Sequence, residues 1–238
     1  MIQVVGIGPG RREGRTIAAD DVLRRADVIV GFTTDIALVR DEFAEKQFVT
    51  TGMRGEKERC AQALALSRAG KRVALICSGD AQVYGMASLL LEMAEESDEI
   101  EVVPGVTAAL SAAAVLGAPL CGDFAVVSLS DQLTPWAVIE RRLRAAAEGD
   151  FPIALYNPCS HHRPDHLARA CAILMETLPA STVCGYVQNI SRDGQKSRVL
   201  TLGELAHEPL DMFTTVLIGN AETKERFGRM LTPRGYRL

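Results

Sequence analysis

The sequence is poor in the residues that mark a metal centre, a disulfide framework or a membrane span. Its 238 residues hold four histidines, one tryptophan and six cysteines, and aromatics make up only 5%. The cysteines Cys60, Cys77, Cys121, Cys159, Cys171 and Cys184 are scattered, with no CxxC pair and no zinc-ligand spacing. Buried, reduced thiols and no bound metal are therefore expected. No apolar run reaches the roughly 18 residues a spanning helix needs, and no basic-then-apolar leader opens the chain. A cytoplasmic protein that engages no membrane is expected. The formal net charge of −4 carries no electrostatic footprint for nucleic acid. An anionic small molecule would need a local basic cluster.

What is present has the texture of a globular α/β chain, with 47% hydrophobic and 24% charged residues. Residues 1 to 118 alternate short apolar runs (IQVVGIG, ADVIVGF, KRVALIC, EIEVVPG) with stretches of helical spacing (TIAADDVLRRA, EKERCAQALALSRAG, VYGMASLLLEMAEE, VTAALSAAAVLG). Runs without in-out alternation predict strands covered on both faces, joined by crossover helices in a parallel sheet. GAPLCGD (117–123) reads as a linker, and a second domain follows over 123–238. In it Thr134 is expected to cap, and Pro135 to open, a helix from about Trp136 to Glu148. Asp193-Gly194 predicts a hairpin turn, so the second sheet should be mixed. The closing TPRGYRL reads as an irregular tail.

The first loop, VVGIGPGRREG (4–14), lacks two further things. A dinucleotide fingerprint needs a third glycine where Arg11 stands, and no acid ends the second strand to hold a ribose. No Walker lysine follows either. Both a structural turn stiffened by Pro9 and a ligand-lining loop fit what remains. ICSGDAQVYGMAS (76–88) ends a strand in Ser78-Gly79-Asp80 ahead of a helix expected near Gln82. Asp80 could cap that helix or bind a ligand's hydroxyl or amine groups. VVPGVTAALSAAA (102–114) repeats the arrangement, with Thr107 and Ala108 small enough for a flat ring to lie close. HHRPDH (161–166) holds three of the four histidines. A solvated loop, a patch for substrate carboxylates and a metal site all have to be weighed there, the last short of partners beyond Asp165 and Cys159.

In order and at these spacings, GIGPG, SGDAQVYG and PGVTA resemble the tetrapyrrole methylase family, whose members transfer methyl groups from S-adenosylmethionine. The resemblance runs over essentially the whole chain. VVSLSDQLTPWAVIERRL (126–143), ALYNPCS (154–160), TTVLIGNAET and LTPRGY are similar to members that methylate carbon 17 of a precorrin-3B-type or cobalt-factor III tetrapyrrole, with ring contraction, in cobalamin biosynthesis; the alternatives are a member acting at a different ring carbon and a non-catalytic tetrapyrrole-binding protein. The resemblance implies two α/β domains, a homodimer, and an active site in the interdomain cleft. It implies cofactor contacts at Pro9, Gly79, Asp80, Val83, Thr107 and Ala108, with Tyr156, Asn157, Thr214 and Thr215 from the second domain. Gly8, Arg54 and Arg192 are candidates for the substrate, and Ser128, Ser130, Asp131 and Thr134 for catalytic polar groups. Two departures stand out. No acid follows Gly31-Phe32 directly, Asp35 being the next, and Cys159 stands where relatives commonly carry an arginine.

Overall fold

The computed structural model describes residues 1–236, so the last two residues of the expected tail, Arg237 and Leu238, lie outside the described residues. Among the described residues no helix is long and apolar enough to cross a membrane. The chain divides into two compact units, Met1–Ala108 and Ala109–Leu238.

The first unit runs β1 (Ile2–Gly6), α1 (Ile17–Arg25), β2 (Val28–Phe32), α2 (Thr33–Ala37), β3 (Gln47–Thr51), α3 (Glu56–Arg68), β4 (Val73–Cys77), α4 (Ala87–Met93) and β5 (Ile100–Val103). Its five strands form one all-parallel sheet in the order β3-β2-β4-β1-β5. The unalternated apolar runs are explained by the two layers they feed. Val4, Val28, Val30, Val73 and Leu75 face Cys60, Ala63, Leu64 and Leu90 of α3 and α4. Their neighbours Val5, Ile29, Ala74 and Ile76 face Ala19, Leu23, Ile36 and Phe43 on the opposite side. Successive residues of a strand point to opposite faces, so both sets must be apolar when helices cover both. Each Val, Leu, Ile or Phe among them contributes roughly 1.5–3 kcal/mol by leaving water. Thr16 starts α1, its hydroxyl accepting from the Ala19 amide at 3.1 Å. Buried Arg15 is held between Asp20 and Glu42, both at 3.0 Å.

The second unit follows with α5 (Ala108–Leu116), β6 (Gly117–Ala118), β7 (Ala125–Ser128), α6 (Trp136–Glu148), β8 (Ile153–Tyr156), α7 (His166–Leu174), β9 (Val183–Gln188), β10 (Lys196–Thr201), α8 (Leu202–Leu205), β11 (Thr214–Ile218), β12 (Lys224–Arg226) and β13 (Arg229–Leu231). Its main sheet, in the order β10-β9-β11-β8-β7, is mixed: β7 and β8 are parallel and the other pairs antiparallel. The β9–β10 hairpin turns where Asp193-Gly194 predicts, with Gly194 at φ +76°.

The division of the chain at Ala108/Ala109 falls ahead of the stretch GAPLCGD, which lies in the second unit. Gly117 and Ala118 pair with Met230 and Leu231 of β13, and the Thr232 hydroxyl donates to the Pro119 carbonyl at 2.7 Å. The second loop does not open a helix at Gln82. Asp80 takes the Gln82 and Val83 amides, Tyr84 turns at φ +55°, and α4 begins only at Ala87. Finally, Pro135 occupies the cap position of α6 rather than its first turn, with no side-chain cap from Thr134. Its carbonyl accepts from the Val138 amide at 2.9 Å.

Candidate functional site

In a parallel sheet the loops at the strands' carboxyl ends are the natural ligand surface. Because β1 lies between β4 and β5, the loops after these three strands emerge side by side. Their glycines meet. A Cβ on Gly105 would fall 2.1 Å from the Gly79 carbonyl oxygen and 2.5 Å from that of Gly6, and one on Gly6 would lie 2.7 Å from both Gly79 and Gly105 backbone atoms. Gly8 and Gly79, at φ +76° and +70°, exchange backbone hydrogen bonds of 3.0 and 2.7 Å. Left-handed φ and backbone-to-backbone approach both require glycine here. The Thr16 hydroxyl adds a tie by donating to the Pro104 carbonyl at 3.3 Å.

Asp80 braces this junction. One carboxylate oxygen accepts from the Gln82 and Val83 amides at 2.8 and 3.1 Å, and the other from Gly105 at 3.0 Å. Burial by itself would raise the Asp80 carboxyl. The amides of Gly105, Gln82, Val83 and Ala81 outweigh burial and hold it below the usual carboxylate range. On one side the junction stays open. A Cβ on Gly79 would find only ordinary contact, 3.7 Å from the Thr107 Cα and the Ala108 amide nitrogen. The first unit thus gathers Gly8, Gly79, Asp80, Val83, Thr107 and Ala108, with Pro9 next to Gly8. Arg54, exposed and at φ +64°, follows β3 on the sheet edge. That is three strand spacings from β1, about 14 Å.

Two features of this sheet end left no trace in the sequence. The Ser78 hydroxyl donates to the Asp35 carboxylate, joining the end of β4 to α2. Arg59 is buried, 4% exposed, and its guanidinium donates to the Thr51 hydroxyl at 2.9 Å and to the Gly52 carbonyl at 3.3 Å. It braces the turn that carries Arg54.

The second unit gathers its candidates in a different way. β11 runs antiparallel to β8 with Val216 opposite Leu155, so Thr215 and Thr214 begin β11 at the end where Tyr156 and Asn157 finish β8. The parallel pair places Ser128 beside Tyr156 at that same end. The Ser128 hydroxyl accepts from the Asn157 amide group at 3.0 Å and from the Ser130 backbone at 3.2 Å. The Tyr156 hydroxyl accepts from the Ala109 amide at 2.8 Å, at the start of α5. Asn189 donates to the Phe213 carbonyl at 3.0 Å, which brings the loop of Arg192 to this end as well. Thr214 is 2% exposed and donates to Asp211 at 2.9 Å.

HHRPDH splits. His161 and His162 stand exposed on a tight turn closed by the Ser160 and Arg163 backbones. His166 is buried and lies 3.2 Å from Asp131 and 3.3 Å from Asp165. Among the described residues no group of three or more His, Cys, Asp or Glu is placed to hold a metal ion. Burial pushes the Cys159 thiol up, so it is a neutral, packed group. A crevice of about 400 Å³ at the other end of this sheet, lined by Asp150, Thr182, Asn220 and Thr223 among others, contains none of the expected site residues.

The model of the Tetrapyrrole (Corrin/Porphyrin) Methylases matches residues 1–206. The chain is 46% identical, over 100% of both chains, to a Salmonella typhimurium protein named probable cobalt-factor III C(17)-methyltransferase. It is 39% identical to a precorrin-3B C(17)-methyltransferase of a Sinorhizobium species, covering 99% of this chain and 96% of that one. Some other relatives are about twice as long as this chain. Among solved structures, the methyltransferase CobJ superposes with a TM-score of 0.91 at 37% identity, covering 98% of this chain and 99% of that one. The chain belongs to the tetrapyrrole methylase family.

Proposed function

We propose that this chain is an S-adenosylmethionine-dependent methyltransferase that methylates carbon 17 of a precorrin-3B-type or cobalt-factor III tetrapyrrole in cobalamin biosynthesis. The observation that carries the reading is its 46% identity with the Salmonella relative over the full length of both chains. The first unit suits the donor. The backbone of Gly79 faces Thr107 and Ala108 across a gap that a Cβ would enter, the kind of cradle a flat ring or a sugar fills without a side chain's help.

S-adenosylmethionine supplies a methyl group already activated on a sulfonium. The chain's residues then have to align the acceptor and exclude water, and alignment alone is worth roughly 7–11 kcal/mol of barrier. Pro9, Gly79, Val83, Thr107 and Ala108 are assigned to hold the donor, with Asp80 shaping the loop rather than offering an open oxygen. By family resemblance Tyr156, Asn157, Thr214 and Thr215 are assigned to the donor too, and Gly8 to the substrate's body, while Arg54 and Arg192 are assigned to its carboxylates as the cations the sequence offers. Ring contraction belongs to the proposal, served by Ser128, Ser130, Asp131 and Thr134. So does a homodimer, for which the almost fully exposed Ile17, Leu133 and Phe227 offer apolar surface. A reducing, cytoplasmic setting suits six unpaired cysteines, five of them buried.

The test is incubation with S-adenosylmethionine and either the metal-free or the cobalt-containing tetrapyrrole, read by product mass and absorbance. Gain of one methyl by at least one macrocycle, with a changed absorption spectrum, is expected. Unchanged mass for both overturns the reading.

A further inference from the structure

We propose that Asp131 takes up the proton that methyl transfer releases, and that His166 is the positioning residue that holds its carboxylate in place. The inference rests on the tetrapyrrole reading above and narrows it to one acid.

The chemistry creates the need. A methyl group leaves a sulfonium as the positive half of its bond, and the sulfur keeps the electron pair and becomes a neutral thioether. The acceptor forms a carbon–carbon bond and must lose one proton to restore its charge. A nearby carboxylate can take that proton as a carboxylic acid and pass it to solvent.

The geometry selects the acid. At the end of the second sheet that gathers Ser128, Asn157 and Thr214, Asp131, Asp165 and Asp211 are the aspartates to weigh, Asp193 lying exposed in the hairpin turn. Asp211 is consumed, accepting from the Phe213 amide, the Thr214 hydroxyl and the Gln188 side chain at 2.9, 2.9 and 2.7 Å. Asp165 points outward, its side chain 61% exposed, with Arg169 at 3.9 Å. Asp131 has one oxygen on His166 Nε2 at 3.2 Å, while its side chain stays 37% exposed. It is anchored on one side and reachable on the other.

The ring behind it cannot turn freely. His166 opens α7 with its side chain 6% exposed, and its Nδ1 lies 3.3 Å from Asp165. Its edge meets the ring of Trp136, the first residue of α6, at 4.8 Å and 73°, and the Arg169 guanidinium covers that indole at 4.0 Å. Two helix starts therefore fix the imidazole, and the imidazole directs the carboxylate. The Nε2 contact is at ion-pair distance without a hydrogen bond's alignment, and Nε2 is buried with no other partner. Such contacts often tighten when substrate arrives.

The titratable and charged groups facing Asp131 are His166 from α7 and Arg163 from the loop before it, with Asp165 and Arg169 beyond the ring. Partial burial alone would raise the Asp131 carboxyl. His166, the backbone and the charge of Arg163 outweigh it and keep the carboxyl below the usual range. An ionised, weak base is enough here, because an acceptor that carries the incoming positive charge is strongly acidic.

The experiment compares the wild type with Asp131→Asn, His166→Phe and His166→Gln in the full chain. Asp131→Asn should lower kcat about 100-fold with little change in KM, and leave affinity for S-adenosylhomocysteine, read by calorimetry, within about twofold. His166→Phe should lower kcat about tenfold and move the acid limb of the kcat profile to higher pH. His166→Gln, which keeps a donor at the ring's place, should recover most of that loss. The carbon-13 carboxyl titration of Asp131 should move up in His166→Phe, a readout that needs no turnover. Wild-type-like turnover in Asp131→Asn, or an unmoved Asp131 titration in His166→Phe, overturns the inference while an active wild type leaves the methyltransferase reading standing. A wild type that methylates neither macrocycle overturns both.

Discussion

The two sheet ends solve the same problem with different material. In the first unit the candidate surface is built from backbone: Gly6 and Gly105 press on the Gly79 carbonyl at distances no side chain survives, and Asp80 spends its carboxylate on amides. In the second it is built from side chains: Ser128 with Asn157, Tyr156 with the start of α5, and Asp131 with His166. Backbone amides and glycine gaps give shape and keep no charge at the surface, which suits a donor that arrives already activated. Side chains bring protons, charge and direction, which backbone cannot. The first unit should therefore break sterically and the second chemically.

The largest effect is expected where the backbones touch. Gly105→Ala puts a methyl 2.1 Å from the Gly79 oxygen, and the neighbour is main chain rather than a side chain that can swing away. A loss of about 3 kcal/mol or more in chemical denaturation is expected, up to failure to fold. Gly79→Ala should separate shape from stability. Its Cβ has room within the protein, so the cost is about 1 kcal/mol for the left-handed backbone. The methyl would nonetheless stand in the gap beside Thr107 and Ala108, so affinity for S-adenosylhomocysteine should drop at least tenfold in calorimetry. If both variants lose stability equally and binding not at all, the glycines are structural only.

A middle-sized effect tests the brace. The folded Asp80 carboxyl lies below its unfolded value of 3.8, so the stability it contributes is fully present above that pH. As the pH falls below 3.8 and through the folded value, that contribution is lost. Asp80→Asn should therefore be less stable than the wild type at neutral pH. The gap between their melting temperatures should close as the pH falls below about 4. A gap that stays constant down to acid unfolding would mean that the carboxylate charge does no work at the junction.

How much of this could be read beforehand follows from the range of each interaction. β1, β2, β4 and β5 were legible because burial on both faces leaves an unbroken apolar run. The loop glycines were legible as loops, but that Gly6, Gly79 and Gly105 share one point follows only from the strand order. β3 was missed, being a five-residue edge strand, QFVTT, with one fully buried side chain. The start of α4 was misplaced because Asp80 takes the amides that a helix beginning at Gln82 would have presented. β12 and β13 carry too few apolar residues to announce a hairpin. Arg59, a buried cation, gives no local signal at all. Asp131 and His166 were singled out separately, one in SLSDQLTPW and one in HHRPDH. Their meeting depends on β7 and β8 being parallel neighbours whose loops leave the sheet together.

The smallest expected effect sharpens the comparison within a single string. HHRPDH contributes three rings, and composition cannot tell them apart. His161 and His162 stand exposed on the turn between Ser160 and Arg163, edge to face at 5.1 Å. His161→Ala and His162→Ala should each change stability by less than about 0.5 kcal/mol, as exposed substitutions do, and turnover by less than twofold. The turn is closed by backbone, Arg163 donating to the Ser160 carbonyl at 2.9 Å, so it outlasts the loss of either ring. A large loss of substrate affinity in either variant would instead make the exposed pair part of the acceptor's carboxylate grip. The second unit's chemistry would then extend past the buried His166 to the tip of its own loop.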